Sequence, residues 1–527
     1  MGHAEILIVG LLVAVALLSS LARRLSIPYP IVLVAGGALF GFVPGVPVVT
    51  LNPDVVLVVF LPPLVYSTAF FANLGDMRAN LRGLTLSSVG LVLATMIVVA
   101  VAAHALVHGL TWGAAFALGA VVSPTDPLAA ATIMRRLELP RRLVSVIEGE
   151  GLFNDATALV AYRVAVAAVV GGSFSLLDAG WKFIAGAAGG VLIGLAVGWL
   201  IAEIRARVED PQISITISLL SGYAAFVPAN AVGASGVLAA VTTGIYMGVR
   251  GPSIIDARTR LQGFYVWDVL DFVINAALFV LVGLQLRAVM NGLSGQSAAA
   301  LAGYALAVSA VVAVTRLVWF FTVPYLIRLL DRRPAQRLRR VGVRPRLVIG
   351  WSGMRGAVSL AAALALPLKT DHGAAFPDRD LIIFLTFGVI FTSLVLQGLS
   401  LPALIRRLQI TRDGDEEAEE IRARLMATKA ALAQIDELAD ADWTREDSID
   451  RMRRAYEYRQ RRFAARAGKI EDDGYEDRSL AYQQLVQLVL GAQREALVKL
   501  RNDGEISNEV MNRVVRDLDL EESRLEI

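Results

Sequence analysis

The residues whose types and spacing point to chemistry fall in three stretches, each inside a long apolar run. The first is Ser123-Pro124-Thr125-Asp126-Pro127. Proline donates no backbone hydrogen bond and clashes with the preceding turn, so two prolines three residues apart unwind a helix here. Unwinding frees backbone carbonyls, and Thr125 and Asp126 add side-chain oxygens. That donor set suits a small cation, and at membrane depth it is tolerated only beside a cavity or inside protein. The second stretch carries Glu148, Glu150, Asn154 and Asp155; the third carries Gly350, Gly353, Met354, Arg355 and Gly356. A charge at the bilayer centre costs at least roughly 2.5 kcal/mol by insertion scales, so each of these is a functional candidate.

Depth can be read from the nearest inner-surface arginine. At 1.5 Å per residue, Asp155 lies about 20 Å from Arg142 and Glu150 about 12 Å. Five residues of separation turn Glu150 and Asp155 roughly 140° apart, so they face different partners. Arg355 is nine residues from Arg346 and Asp126 nine from Arg135, about 13 Å in each case. A buried guanidinium needs carboxylate partners, and the shared depth predicts that Arg355 pairs with Glu150, leaving Asp155 free to exchange its ligand. Glu148 reads as a solvated charge near the inner surface, and Arg163 as a snorkelling or structurally paired group. Glu203, Asp268, Asp271 and Arg316 read as structural charges near span ends.

The elements that must position these groups follow from hydropathy. The 527 residues are 56% hydrophobic and 18% charged, against about half and a quarter in soluble globular proteins. Residues 1–408 are mostly apolar runs, and 409–527 are dense in Arg, Asp and Glu. This predicts a membrane domain followed by a soluble helical domain. A span needs about 20 apolar residues, and thirteen candidates lie near 4–21, 28–44, 53–72, 83–107, 112–134, 143–170, 181–202, 211–228, 232–249, 264–286, 298–328, 346–367 and 380–405. Arginines cluster in the loops that are inner if the N-terminus is outside, including the run from Arg328 to Arg346. The chain then reads as N-out with a cytosolic tail. The interrupted fifth and twelfth spans are seven apart and so cross in opposite directions. That pattern suggests an inverted repeat pairing spans 4–6 with spans 11–13.

Several function classes are disfavoured. The net charge of +3 does not argue for nucleic acid, and the absence of cysteine excludes disulfides and thiolate chemistry. Four scattered histidines argue against a histidine metal site, and the N-terminus lacks the basic region of a cleaved signal. Nothing resembles a carbonyl filter or repeated charged rings, so a cation channel is a weaker reading than a transporter. An enzyme lacks any His-Glu-x-x-His or Ser-His arrangement. A non-transporting membrane sensor would leave two broken helices unexplained.

The segments GEGLFNDATALV (149–160), SPTDPLAA (123–130) and GMRGAVSLAAALALP (353–367) resemble the monovalent cation:proton antiporters of the sodium/proton exchanger type. LPPLVYSTAF (61–70), GASGVLAAVTTG (233–244) and INAALFVLVGLQL (274–286) add weaker matches in the family's order, together covering most of residues 1–408. The resemblance implies an all-α membrane protein of about thirteen transmembrane helices. It would have a six-helix core with two crossed broken helices beside a dimerisation domain, and the homodimer would move the core like an elevator. It implies that Asp155 carries the exchanged ion, that Thr125 and Asp126 line the site with Asn154, and that Glu150 and Arg355 form the fixed pair beside it. It also implies that the Asn-Asp type is electroneutral. Many relatives carry acids where this chain has Ser67 and Asn230.

The expectation is therefore a plasma-membrane antiporter in which one carboxylate holds either a proton or a monovalent cation, seldom both. Na+ is the first choice, Li+ and K+ are the alternatives, and no cofactor is needed. Partners are these ions, the lipid bilayer and a second copy of the chain. In the tail, Tyr482, Leu485, Val489, Ala492 and Ala496, and then Val510, Val514 and Leu518, form apolar stripes separated by Asp503-Gly504. The tail is expected to be helical and to support the dimer or bind a cytosolic regulator.

Overall fold

The structure, a computed structural model, describes residues 3–25, 27–44, 56–171, 176–293, 297–330, 342–410, 415–471 and 473–523. The centre of the basic run, 331–341, lies outside the described residues. The chain forms two compact units, Met1–Arg412 and Asp413–Ile527. Among the described residues it is helical apart from loops and one isolated bridge, Lys369 to Ala375.

In the first unit, α1 (His3–Leu25) and α2 (Tyr29–Gly41) precede α3 (Leu61–Phe70), which continues a π-helical turn at Val56–Phe60. A long helix follows as α4 (Leu74–Thr85) and α5 (Val92–Leu106), joined by a second π turn. The Ser123–Pro127 stretch does interrupt its run, giving α6 (Trp112–Val122) and α7 (Pro127–Arg136). Next come α8 (Arg141–Val170), α9 (Leu176–Arg205), α10 (Pro211–Ala231), α11 (Gly236–Ile254), α12 (Ala257–Gly292) and α13 (Ala298–Leu330). The glycine-rich stretch separates α14 (Val343–Trp351) from α15 (Ala357–Leu364), and α16 (Arg379–Thr392) and α17 (Gly398–Leu408) complete the unit.

Eight helices among the described residues are long and apolar enough to cross a membrane, including Trp112–Arg136, Arg141–Val170, Ala257–Asn291 and Ala298–Ile327. The chain is a multi-pass membrane protein. Its helices associate through small residues that let backbones approach, as expected where lipid removes the hydrophobic drive. The crossing of α2 and α12 shows this: a Cβ on Gly37 would collide with the Val280 carbonyl.

The second unit contains α18 (Asp415–Glu437), α19 (Glu446–Arg466), α20 (Tyr475–Asn502) and α21 (Asn508–Ser523). Gly504, at φ 77°, lies in the turn between α20 and α21, where Asp503-Gly504 breaks the apolar stripes. Arg494 of α20 ties the two together by bonds to Glu522 at 2.5 Å and Asp519 at 2.6 Å of α21. Its guanidinium is held above the usual arginine range by those hydrogen bonds, Glu522 first.

Candidate functional site

The two helix breaks touch. The Asp126 N–H donates to the Met354 carbonyl at 2.8 Å, joining one unwound segment to the other through backbone alone. Each break exposes a C-terminal half-helix end with unsatisfied carbonyls, and each end is met by an arginine. Arg355 donates from Nε to the Val122 carbonyl at 3.0 Å, at the end of α6, and from Nη1 to Gly353. Arg316, from the middle of α13, donates to the Ile349 carbonyl of α14 from Nε at 3.3 Å and Nη2 at 3.2 Å. At the start of α7, Asp126 is the N-cap and accepts the Leu128 N–H at 2.9 Å.

This geometry corrects one expectation. Glu150 is paired with Arg316, not Arg355: Arg316 Nη1 bonds Glu150 Oε1, with both side chains only 1–2% exposed. The reason is that Arg355 is consumed by carbonyls that its own break and the α6 end release. Arg316 reaches Glu150 from the side while capping α14. Arg316 is thus a site residue that the reading by span ends overlooked. Its signal is present in the sequence, since it is the lone charged residue of the run 298–327.

The rest of the polar network runs along α8. Asn154 Nδ2 donates to Thr125 Oγ1 at 2.6 Å, and Thr125 Oγ1 donates to Glu150 Oε1 at 3.3 Å. Thr125, Glu150, Asn154, Arg316 and Arg355 are all buried. Asp155 points elsewhere, as the helical rotation requires. It makes no hydrogen bond or ion pair among the described residues, and it lines a cavity of about 460 Å³ together with Asp126. The cavity extends to the Arg135–Glu148 ion pair, whose arginine side chain is 69% exposed. Asp126 and Asp155 therefore share one cavity with a path outward, and Glu150 is not among its lining residues.

Other predicted residues fall outside this centre. Arg163 donates to Asn230 Oδ1 at 2.6 Å and to the Ala234 carbonyl at 3.2 Å, a structural pairing away from the cavity. Ser67 does not stand alone: its hydroxyl donates to Asp271 Oδ1 at 2.8 Å. Asp271 and Asp268 line the same cavity as Asp155, so Asp271 is a second residue that its apparent closeness to a span end concealed.

The glycine at 356 has a specific task. A Cβ there would coincide with the Asp126 carboxylate, so any side chain displaces that group. Gly356→Ala is expected to lower cation-driven exchange by about tenfold or more, as small misplacements of a reacting group do. The check is exchange rate in proteoliposomes together with detergent thermal stability, which should fall only by the loss of a helix cap, about 0.5–2 kcal/mol.

A family model described as sodium/hydrogen exchanger, transmembrane, matches residues 10–407. An uncharacterized Na(+)/H(+) exchanger of Mycobacterium tuberculosis is 36% identical over 526 residues, covering 99% of this chain and 96% of that protein. A sodium, potassium, lithium and rubidium/H(+) antiporter of Bacillus subtilis is 32% identical over 416 residues, 76% of this chain and 61% of that protein. The solved sodium proton antiporter MjNhaP1 of Methanocaldococcus jannaschii shares the fold, with a TM-score of 0.59 over 77% of this chain and 99% of that one at 18% identity. With its two broken helices and the carboxylates gathered where they meet, the chain belongs to the sodium/hydrogen exchanger family, the transmembrane monovalent cation:proton antiporters, which are transporters and not enzymes.

Proposed function

We propose that the chain exchanges one Na+ for one H+ across the plasma membrane, with Asp155 as the group that holds either ion. The observation that carries this reading is the placement of Asp155, without a fixed partner, beside Asp126 in a cavity that leads out past Arg135 and Glu148. A permanently paired carboxylate would be a poor carrier. Asp126 and Thr125 complete the cation site, Asn154 orients Thr125, and the Glu150–Arg316 pair with Arg355 holds the breaks in register. No cofactor is required.

Charge accounting supports one-for-one exchange. At the crossing of the breaks, three carboxylates (Asp126, Glu150, Asp155) face two guanidiniums (Arg316, Arg355). The empty site then carries one net negative charge, and one proton or one monovalent cation neutralises it. A neutral loaded site has a low barrier to crossing the bilayer, and an empty charged one a high barrier. That difference couples the two fluxes, and a complete cycle moves no net charge.

In this reading the membrane domain comprises residues 1–408 with thirteen crossings, the N-terminus outside and the helical tail, 409–527, in the cytosol. Spans 4–6 and 11–13 form the moving core of a homodimer, which carries the site by an elevator motion. The cavity is then the cytosol-facing entrance. The tail supports the dimer or receives a cytosolic regulator. Li+ and K+ are alternative cargoes, and the breadth of ions in the name of the Bacillus subtilis relative favours testing them together.

The test is dequenching of a pH-gradient dye in proteoliposomes on addition of Na+, K+ or Li+. Na+ is expected to give the lowest half-saturating concentration, and a valinomycin-set voltage should leave the rate unchanged. Strong voltage dependence would contradict one-for-one exchange. Because protons and cations compete, apparent cation affinity should weaken as pH falls, by up to about tenfold per unit in the range where the proton occupies the site. An affinity that ignored pH would contradict a shared site.

A further inference from the structure

Asp271 lies on α12 and Ser67 on α3, outside the helices that carry Asp126, Asp155, Arg316 and Arg355. Yet both line the cavity that holds Asp155. Three polar residues follow one another down that face of α12: Asp268, Asp271 and Asn275, at the three- and four-residue spacings that put side chains on one stripe. Their exposure falls inward, from the exposed Asp268 to the half-buried Asp271 and Asn275. The Ser67 hydroxyl, itself only 1% exposed, donates to Asp271 Oδ1 at 2.8 Å and lies 3.0 Å from the Leu64 carbonyl. It therefore fixes the carboxylate from behind. Asn275 uses its amide nitrogen on the Asp271 backbone carbonyl at 2.8 Å, so that nitrogen does not occupy the carboxylate. No guanidinium or ammonium among the described residues forms an ion pair with Asp271. Asp126 lines the same cavity, so the two carboxylates border one polar space.

We propose that Asp271, oriented by Ser67, is a cation-staging carboxylate on the wall of the entrance, which sets the affinity of transport for its monovalent cation without carrying the ion across. This deepens the reading above and rests on Asp155 being the carrier. A fixed negative charge at the entrance raises the local cation concentration and steadies a partly dehydrated ion before it reaches Asp155. Because Asp271 is outside the proposed moving core, it acts on loading alone. Its removal should raise the cation concentration needed for half-maximal rate and leave the maximal rate in place.

The experiment measures cation-dependent dequenching in proteoliposomes of the full chain for Asp271→Asn, Asp271→Glu, Ser67→Ala and Asp155→Ala. Asp271→Asn is expected to raise the half-saturating Na+ concentration about three- to tenfold, the size of a charge attraction screened by a partly wet cavity, with the maximal rate retained. Asp271→Glu should recover most of the affinity, since it restores the charge, and Ser67→Ala should shift affinity in the same direction by less. An unchanged half-saturating concentration in Asp271→Asn would overturn the proposal. So would a lost maximal rate at unchanged affinity, which is the signature of a structural role. If Asp271→Asn does not fold, Ser67→Ala decides: an affinity equal to that of the parent overturns the proposal. Exchange by Asp155→Ala would instead overturn the carrier assignment, which keeps the two failures distinct.

Discussion

Asp155→Ala is expected to reduce cation-driven proton release from proteoliposomes to the leak of protein-free vesicles, for Na+, K+ and Li+ alike. The loss should be complete because Asp155 is a cavity carboxylate beside the helix breaks with no fixed partner among the described residues, whereas Asp126 is engaged by the Leu128 amide as a helix cap. Removing Asp155 also changes the charge of the crossing. Two carboxylates then face two guanidiniums, and the site is neutral with nothing bound. Such a site can reorient empty, which uncouples it from both ions. Asp155→Asn should therefore be as inactive as Asp155→Ala although it preserves shape. Because neither Glu150 nor Arg316 touches Asp155, both variants should keep the thermal stability of the parent. A variant that exchanged ions at a measurable rate would place the carrier elsewhere in the cavity.

Arg316→Ala is expected to be the most destabilising single substitution at the site. It leaves Glu150, 2% exposed, as an unpaired buried carboxylate. Breaking such a pair from one side costs roughly 3–5 kcal/mol. It also strips the Ile349 carbonyl at the end of α14 of its two guanidinium donors, leaving it the Ser352 hydroxyl at 2.9 Å. Arg316→Lys should restore little, because an ammonium cannot span the carboxylate and the carbonyl together. Arg355→Ala removes donors to two carbonyls but leaves the Glu150 ion pair standing, so its cost should be nearer about 1–3 kcal/mol. Thermal denaturation in detergent ranks the two variants. Adding Glu150→Gln to Arg316→Ala should recover a substantial part of the loss, since the stranded charge is then gone. The opposite ranking, with Arg355 the more costly, would return Glu150 to the partner that depth along the helices suggests.

That contrast shows where sequence reading succeeds and where it stops. The two breaks are legible because Pro124, Pro127 and the glycines at 350, 353 and 356 are incompatible with continuous helix, whatever surrounds them. The separation of Glu150 from Asp155 is equally legible, since it follows from 100° of rotation per residue. The partner of Glu150 is not. Depth counted along each helix puts Arg355 and Glu150 at one level but carries no information about which carbonyls the breaks release, and those carbonyls claim Arg355. Arg316 and Asp271 were obscured for a related reason. Their helices, α13 and α12, run for 33 and 36 residues. Nearness to the end of an apolar window is then a poor guide to depth. The contact between Ser67 and Asp271 spans 204 residues of chain, and no local pattern encodes it.

The backbone bond between Asp126 and Met354 has a consequence for how the protein is made. The second partner emerges from the ribosome roughly two hundred residues after the first, which at bacterial synthesis rates is an interval of about 10–45 s. Arg316 also follows Glu150 by well over a hundred residues. Until Arg316 emerges, the nascent chain has offered the membrane Asp126, Glu150 and Asp155 with neither of the two guanidiniums that later offset them. The early polar helices are therefore marginal passengers in the bilayer until the late ones arrive. Membrane insertion of the first half is provisional, and it becomes permanent only when the second break docks onto the first.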